Sequence, residues 1–341
     1  MIGTNVLLIY TGGTIGMIKD LETRILKPFD FEQIKKEVPE LTKFACEIDT
    51  FSFEHPLDSS NMKPEVWVRI AEIIEDKYAE YDGFVILHGS DTMAFTASAL
   101  SFMLHGLNKP VILTGSQLPI GTIRTDGKEN LITAIEIAAA KKANNPLVPE
   151  VAIYFEYNLY RGNRTTKVNS EDFEAFDSFN YPLLAEAGIK IKYNTSNILE
   201  VDAESKLNIF KVFDRNVASL KLFPGITKEF VSHFMKTPGL KAVVLETFGS
   251  GNALSEEWFL SLLKKAINKG VVIVNVTQCK RGSVDQAKYE TGSGLEAIGV
   301  ISGGDITFEA ATTKLMLLLG GKTSTEKIKT KFLSPFCGEI S

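Results

Sequence analysis

Residues 6–16 read VLLIYTGGTIG, in which five apolar residues, Val6–Tyr10, run without a break into a threonine and a pair of glycines. An apolar, β-branched run of this length suits a strand buried on both faces of a parallel sheet. Gly12 and Gly13 then let the backbone turn tightly where the strand ends. The same design recurs along the chain. Continuous apolar runs predict further strands at Phe84–His88, Val111–Thr114, Val151–Phe155, Ala242–Glu246 and Val271–Val276. Longer amphipathic stretches alternate with them. In Pro64–Tyr78, Val66, Trp67, Ile70, Ile73, Ile74 and Tyr78 recur at helical spacing, and Pro64 stands where its missing N–H is harmless. Thr92–Leu104, Lys128–Ala143, Glu256–Lys269 and Ile306–Leu319 read the same way. Strands alternating with helices imply right-handed βαβ units, so the expected class is α/β with a doubly wound parallel sheet.

A chain of 341 residues exceeds what one hydrophobic core usually organises, which favours two domains. The alternation weakens between about Tyr181 and Asn216, a polar stretch containing YNTSN and a short candidate strand near Ile209–Phe213. The expected organisation is a larger N-terminal domain over residues 1–195, a linker over 196–215 and a smaller C-terminal α/β domain over 216–341. Residues 18–32 carry mixed charges without periodicity and directly follow the first glycine turn. They are a candidate mobile lid.

The bulk properties exclude several function classes. With 37 basic and 42 acidic residues the net charge is −5, which argues against a nucleic-acid or membrane-surface partner. No window approaches the roughly 20 apolar residues of a membrane span. Cys46, Cys279 and Cys337 are odd in number and far apart, suggesting neither a disulfide framework nor a zinc site. A reducing compartment fits. The N-terminus has no positively charged segment ahead of a long apolar run, so a secretory signal is not expected and the cytoplasm is. Neither GxGxxG nor GxxxxGK[ST] is present, and no cofactor or metal is expected.

In an open α/β sheet, ligands bind beyond the carboxyl ends of the strands. After the first strand come Thr11 and Thr14 around the glycines; the alternative to a ligand site there is an ordinary glycine turn. After the second comes His88-Gly89-Ser90-Asp91-Thr92, where Ser90 or Asp91 could equally be a helix cap. His88 beside an apolar run reads as a packed histidine rather than a member of a Ser-His-Asp triad, whose parts come from distant segments. His55, His105 and His233 show no pairing. Gly115-Ser116-Gln117 and Arg124-Thr125-Asp126 follow the strand at 111–114. The turn-like stretch after Val151–Phe155 carries Lys167, either a solvated surface lysine or a base. The turn Asp58-Ser59-Ser60-Asn61 precedes the Pro64 helix and is either its cap or a binding segment. One doubly wound sheet would gather these loops at one edge. Hydroxyl nucleophiles need a nearby base, and a lysine serves where desolvation or a neighbouring charge lowers its pKa.

The motifs TGGTIGM (11–17), HGSDTMAFTASALSFML (88–104), TGSQLP (114–119) and LYRGNRTTK (159–167) resemble the bacterial-type L-asparaginases, most of all their cytoplasmic, type I branch. GNA (251–253), VNVTQC (274–279) and GVISGGDITFEAATTKL (299–315) extend the likeness over nearly the whole chain. The resemblance implies a hydrolase that splits L-asparagine to L-aspartate and ammonia without a cofactor. Thr14 would be the nucleophile, with backbone N–H groups near the glycine turn stabilising the oxyanion. Ser90, Lys167 and Asp91 would form a second triad. Asp58, Ser59 and Ser60 would hold the substrate's α-carboxylate, and Asp91 its α-amino group. A homodimer or homotetramer is implied, with each site borrowing a residue from a neighbouring subunit.

Three departures stand out. The family's second triad usually begins with threonine, and here Ser90 keeps the hydroxyl without the methyl. Many relatives carry a lid tyrosine, which Thr23-Arg24-Ile25-Leu26 lacks. Some type I enzymes have a regulatory asparagine site using an arginine where Glu246 stands here; a carboxylate would repel the ligand's own, so no such site is expected. The alternatives are a mixed glutaminase-asparaginase, an amidotransferase subunit with an extra N-terminal domain, and a non-catalytic amino-acid-binding protein of the same fold.

Overall fold

The computed structural model describes residues 3–19, 26–28, 34, 36–286, 290–321 and 323–341. The chain divides into two compact units, Met1–Lys211 and Val212–Ser341. Both are α/β, as the alternation of strands and helices predicts.

In the first unit, β1 (Asn5–Gly12), β2 (Glu47–Leu57), β3 (Gly83–Leu87), β4 (Val111–Thr114) and β5 (Val151–Phe155) are parallel. The antiparallel strands β6 (Asn158–Arg161), β7 (Ala185–Glu186) and β8 (Lys192–Tyr193) extend the sheet beyond β5. Its order is β8-β7-β6-β5-β4-β3-β1-β2. The parallel part therefore runs 2-1-3-4-5, and its direction of winding reverses between β1 and β3. That reversal opens a crevice at the strands' carboxyl ends. Val6, Leu8, Val85, Leu87, Ile112 and Ala152 face a core shared with Leu131, Ala134, Ile135 and Ala138 of α3 (Gly127–Ala139). Alternation turns Leu7, Ile9, Phe84, Ile86 and Leu113, all fully or nearly buried, to the other face. There α1 (Pro64–Lys77) and α2 (Met93–Met103) pack.

Helix α3 stops at Ala139 rather than continuing to Ala143. Lys141–Lys142 pairs back on Asn145–Pro146, and Ala143 and Asn144 take left-handed φ values of 50° and 67°. Pro146 cannot continue a helix, and Asn is tolerated in that conformation. The candidate strand near 209–213 is shorter and earlier, Asn208–Ile209, pairing with Leu104–His105.

The second unit has a parallel sheet in the order β9 (Val217–Lys221), β10 (Ala242–Thr247), β11 (Val272–Thr277), β12 (Ile301–Ser302). Its helices are α4 (Lys228–Phe234), α5 (Glu257–Asn268), α6 (Glu290–Ala297), α7 (Phe308–Gly320) and α8 (Thr325–Leu333). Phe259 and Leu263 of α5 pack with Val243, Leu245 and Ile273. Glu246 lies within β10, where its carbonyl accepts from Leu222 N–H and the Gln278 side chain. Lys314 of α7 and Glu339 of the C-terminal tail form an ion pair with no exposed surface on either side chain. Among the described residues no helix is long and apolar enough to cross a membrane.

Candidate active site

Three turns meet where the winding of the first unit reverses. The first follows β1. Gly12 and Gly13 have φ of 131° and 89°, a region that excludes most side chains. Gly13 N–H donates to Leu57 O at the end of β2. A Cβ at Gly13 would stand 2.5 Å from the Gly89 nitrogen, so the turn after β1 is pressed against the turn after β3. Thr14 opens a short 3₁₀ turn, Thr14–Gly16, and is half-buried. Tyr10 lies beneath it and donates to Gly16 O at 2.9 Å. Burial pushes the Tyr10 hydroxyl up to about 12, which makes it a poor base. The neighbouring Thr11 hydroxyl is turned inward onto Leu87 O, leaving Thr14 as the hydroxyl of this loop outside the core.

The second turn is Asp58–Asn61. Asp58 caps it, accepting from Ser60 N–H and Ser60 Oγ, both at 2.8 Å. These two bonds, the backbone one foremost, hold the Asp58 carboxyl below the usual carboxylate range. Its charge thus shapes its own turn. Ser59 is buried beside Gly89, where a Cβ would meet its Oγ at 2.5 Å, and Ser60 is exposed. Thr92 Oγ1 donates to Ser59 O at 2.7 Å and ties this turn to the third.

The third turn is Gly89–Thr92, leading into α2. Ser90 and Asp91 both meet Lys167, whose Nζ donates to Ser90 Oγ at 2.8 Å and to Asp91 Oδ1 at 2.7 Å. Lys167 is not in the loop directly after β5, as the sequence suggested. The chain first turns back through β6. Gly162 then passes so close to α2 that a Cβ would stand 3.0 Å from the Ala97 side chain. From there the chain follows α2 toward its N-terminus, and Lys167 pairs with Phe176 in a two-residue ladder beside it. The Lys167 side chain is 17% exposed, whereas Asp91 is 66% exposed and free to take a second cation from solvent.

Ser59, Ser90, Asp91 and Lys167 therefore come together, with Thr14 on the adjoining turn. Thr92 and Gln117 join them without any cue in their residue type. Gln117 accepts from Ser90 Oγ at 3.4 Å and donates to Asp172 O. The Asp126 carboxylate holds the Gln117 loop by accepting from Gln117 and Leu118 N–H. Most of the candidate lid, 18–32, and Thr23-Arg24-Ile25 lie outside the described residues. Among the described residues no group of three or more His, Cys, Asp or Glu side chains could hold a metal ion.

His88 is a packed histidine, as its position beside an apolar run suggests. It has no exposed surface, and burial pulls its pKa down to about 4. The folded protein thus keeps the ring neutral while the unfolded chain protonates near 6.5. Between those values the unfolded state binds the extra proton, so stability falls as the pH falls through this window and levels off below about 4. The loss amounts to on the order of 3 kcal/mol. Melting temperatures across pH 4–7 measure it. A His88→Asn variant should show a shallower acid slope; an unchanged slope would assign the loss to other groups.

The chain matches the family Asparaginase, N-terminal over residues 5–199 and the Glutaminase/Asparaginase C-terminal domain over residues 216–332. It is 43% identical to L-asparaginase 1 of Escherichia coli (strain K12) over 334 residues, covering 97% of this chain and 96% of that one. The crystal structure of L-asparaginase I from Vibrio cholerae O1 biovar eltor str. N16961 superposes with a TM-score of 0.89 at 40% identity, covering 99% of both chains. The thermostable L-asparaginase from Thermococcus kodakarensis gives 0.91 at 32% identity, again covering 99% of both. With both family domains matched in order along nearly its whole length, this chain belongs to the asparaginase family of amidohydrolases.

Proposed function

We propose that the protein is an L-asparaginase that hydrolyses the side-chain amide of L-asparagine to L-aspartate and ammonia through a threonine-linked acyl-enzyme. The observation that carries this reading is the cluster of Lys167 with Ser90 and Asp91 on the turn that Gly13, next to Thr14, touches. A binding protein needs no lysine poised on a hydroxyl. In the proposed reaction Thr14 Oγ1 attacks the amide carbonyl carbon, its proton leaves with the amide nitrogen, and the C–N bond breaks to release ammonia. Water then attacks the acyl-enzyme and returns a proton to Thr14 as aspartate departs. Lys167, oriented by Asp91, takes up the Ser90 proton as Ser90 Oγ receives that of Thr14. Asp91 keeps an exposed face for the α-ammonium. Ser59 and Ser60 offer hydroxyls to the α-carboxylate, on a turn that Asp58 holds in shape.

Ammonia release from asparagine, from glutamine and from a blank tests the reading. Release from asparagine supports it, equal release from glutamine turns it into the mixed enzyme, and no release above the blank refutes it. One methylene in a pocket is worth only about 1–3 kcal/mol, so the glutamine arm carries real information. Lys167→Met is expected to lower turnover by about 10²- to 10⁴-fold, the usual worth of a general base. Circular dichroism should show the fold intact, and a normal rate would remove Lys167 from the mechanism.

We also propose a cytoplasmic location and a homodimer or homotetramer. Cys46, Cys279 and Cys337 form no disulfide among the described residues, and Cys279 is exposed, which suits a reducing compartment. The carboxylate of Glu246 speaks against a regulatory asparagine site at that position.

A further inference from the structure

The turn that carries Thr14 stands between two sets of anchors. On its N-terminal side Gly13 N–H donates to Leu57 O, and the Gly13 backbone presses on Gly89. On its C-terminal side Ile15 is buried, and a Cβ at Gly127, the first residue of α3, would stand 3.4 Å from its Cγ1. Gly16 follows, and its carbonyl accepts the Tyr10 hydroxyl at 2.9 Å. The turn's own bonds are few. Gly16 N–H donates to Gly13 O at 3.3 Å, and Met17 N–H donates to Thr14 O. A 3₁₀ turn this short has poorer hydrogen-bond geometry than an α-helix. Its form is therefore set by what it rests on.

That support is Tyr10. Gly16 has no left-handed φ, so backbone conformation is not what calls for glycine there. Space calls for it, because a Cβ at residue 16 would overlap the Tyr10 ring at Cε2, Cζ and the hydroxyl oxygen. The turn thus lies directly against the edge of the ring, and the hydroxyl at the ring's tip closes the contact. Tyr10 is buried near the end of β1 and belongs to the core with Val6, Leu8, Ile15 and Leu87. A close-packed core leaves such a side chain little freedom. Beyond Gly16 the chain enters an antiparallel ladder of Met17–Lys19 with Leu26–Pro28. Gly16 is therefore the last residue between the nucleophile's turn and that ladder. The reaction described above gives Tyr10 no proton to move, and burial keeps its hydroxyl a donor.

We propose that Tyr10 is a positioning residue of the reaction: by holding Gly16, it fixes where the Thr14 hydroxyl stands and keeps displacements of the ladder out of the nucleophile's turn. The proposal rests on the asparaginase reading and deepens it. Its test is the kinetics of ammonia release from asparagine by wild type, Tyr10→Phe, Gly16→Ala and the double variant. Each is measured together with its melting curve, its inhibition by the product aspartate and its amide hydrogen exchange at Met17. Tyr10→Phe, which removes one oxygen and leaves the ring, should lose about 10- to 10²-fold in kcat, the scale of a small misplacement of a reacting group. KM and aspartate inhibition should change less than about threefold, because the Asp58–Asn61 and Gly89–Thr92 turns are untouched. Exchange at Met17, whose N–H closes the turn on Thr14 O, should quicken at least about tenfold. Gly16→Ala, which lifts the turn off the ring, should lose at least as much in kcat. The double variant should lose less than the product of the single losses, because both changes act through one contact. Wild-type kcat in a folded Tyr10→Phe, even with a lowered melting temperature, overturns the proposal, as do losses that simply multiply. If Tyr10→Phe does not fold, Gly16→Ala decides the matter by the same split between kcat and KM. Silence of the wild type toward asparagine brings down the functional reading instead. Exchange at Met17 then judges the positioning claim by itself: faster exchange in Tyr10→Phe upholds it, and unchanged exchange overturns it.

Discussion

Thr14→Ala is expected to cut ammonia release from asparagine by roughly 10⁴- to 10⁶-fold, the range seen when a hydrolase loses its attacking hydroxyl but keeps its binding pocket and oxyanion donors. The fold should hardly notice. Thr14 is half-buried on a short turn, and among the described residues its hydroxyl has no hydrogen-bond partner to abandon. A surface-like change of this kind usually stays within about 0.5 kcal/mol. Thr14→Ser keeps the nucleophile and should retain far more activity than alanine. The informative measurement is single-turnover ammonia release together with mass spectrometry of the protein after mixing with asparagine. An acyl adduct in wild type that disappears in Thr14→Ala places the covalent step on Thr14. An alanine variant with undiminished turnover removes that step and moves the chemistry to Ser90.

The largest effect on stability is expected at the other end of the chain. Lys314 Nζ donates to Phe332 O at 2.7 Å, to Ser334 O at 2.9 Å and to Glu339, which disposes of all three of its protons. The rings of Phe332 and Phe336 stand 5.2 and 4.6 Å from the ammonium. Glu339 in turn accepts from Phe336 and Cys337 N–H. Burial pulls the Lys314 pKa down, so the ammonium owes its place to these partners. Lys314→Met leaves a buried carboxylate without its cation and two carbonyls without a donor. Breaking such a pair from one side costs about 3–5 kcal/mol. The melting transition of the second unit should fall by roughly 10–20 °C, and the C-terminal tail should become open to carboxypeptidase. Lys314→Met combined with Glu339→Gln removes both charges and keeps an acceptor for the two amides. The double variant should therefore melt above the single one, a non-additivity that calorimetry reads directly. A single variant that melts within a degree or two of wild type refutes this account.

The six parallel strands read from the sequence were legible because each is buried on both faces and apolar nearly throughout, whereas β9, half-exposed, and the two-residue β12 carried no such run. Strand β2 was not legible either. Glu47–Leu57 lies at the sheet edge, alternates half-buried and exposed positions, and carries Glu47, Asp49, Glu54 and His55, so it lacks the continuous run. Strand β6 escaped for a different reason. Tyr160 and Arg161 read as turn residues, but Arg161 is buried because Glu150 lies opposite it, with Nε to Oε2 at 2.8 Å. A partner eleven positions earlier in sequence cannot be inferred from residue types. The residues of the site were readable as strand-end motifs, whereas their contacts were not. Nothing in HGSDT says that Ser90 and Asp91 share Lys167. That fact comes from α2 lying along the chain that brings Lys167 back.

That return path has a kinetic consequence. Lys167 lies 77 positions along the chain from Ser90 and 76 from Asp91, after the chain has built five parallel strands and reversed through a sixth. Contacts so distant along the sequence close late in folding, because the intervening loop entropy must be overcome before they contribute. A nascent chain or a collapsed intermediate can hold the glycine turn and its threonine without holding the lysine. Hydrolytic competence is therefore expected late in the folding of the first unit, and its recovery during refolding reports the docking of residues 158–167 more directly than a spectroscopic measure of helix or sheet.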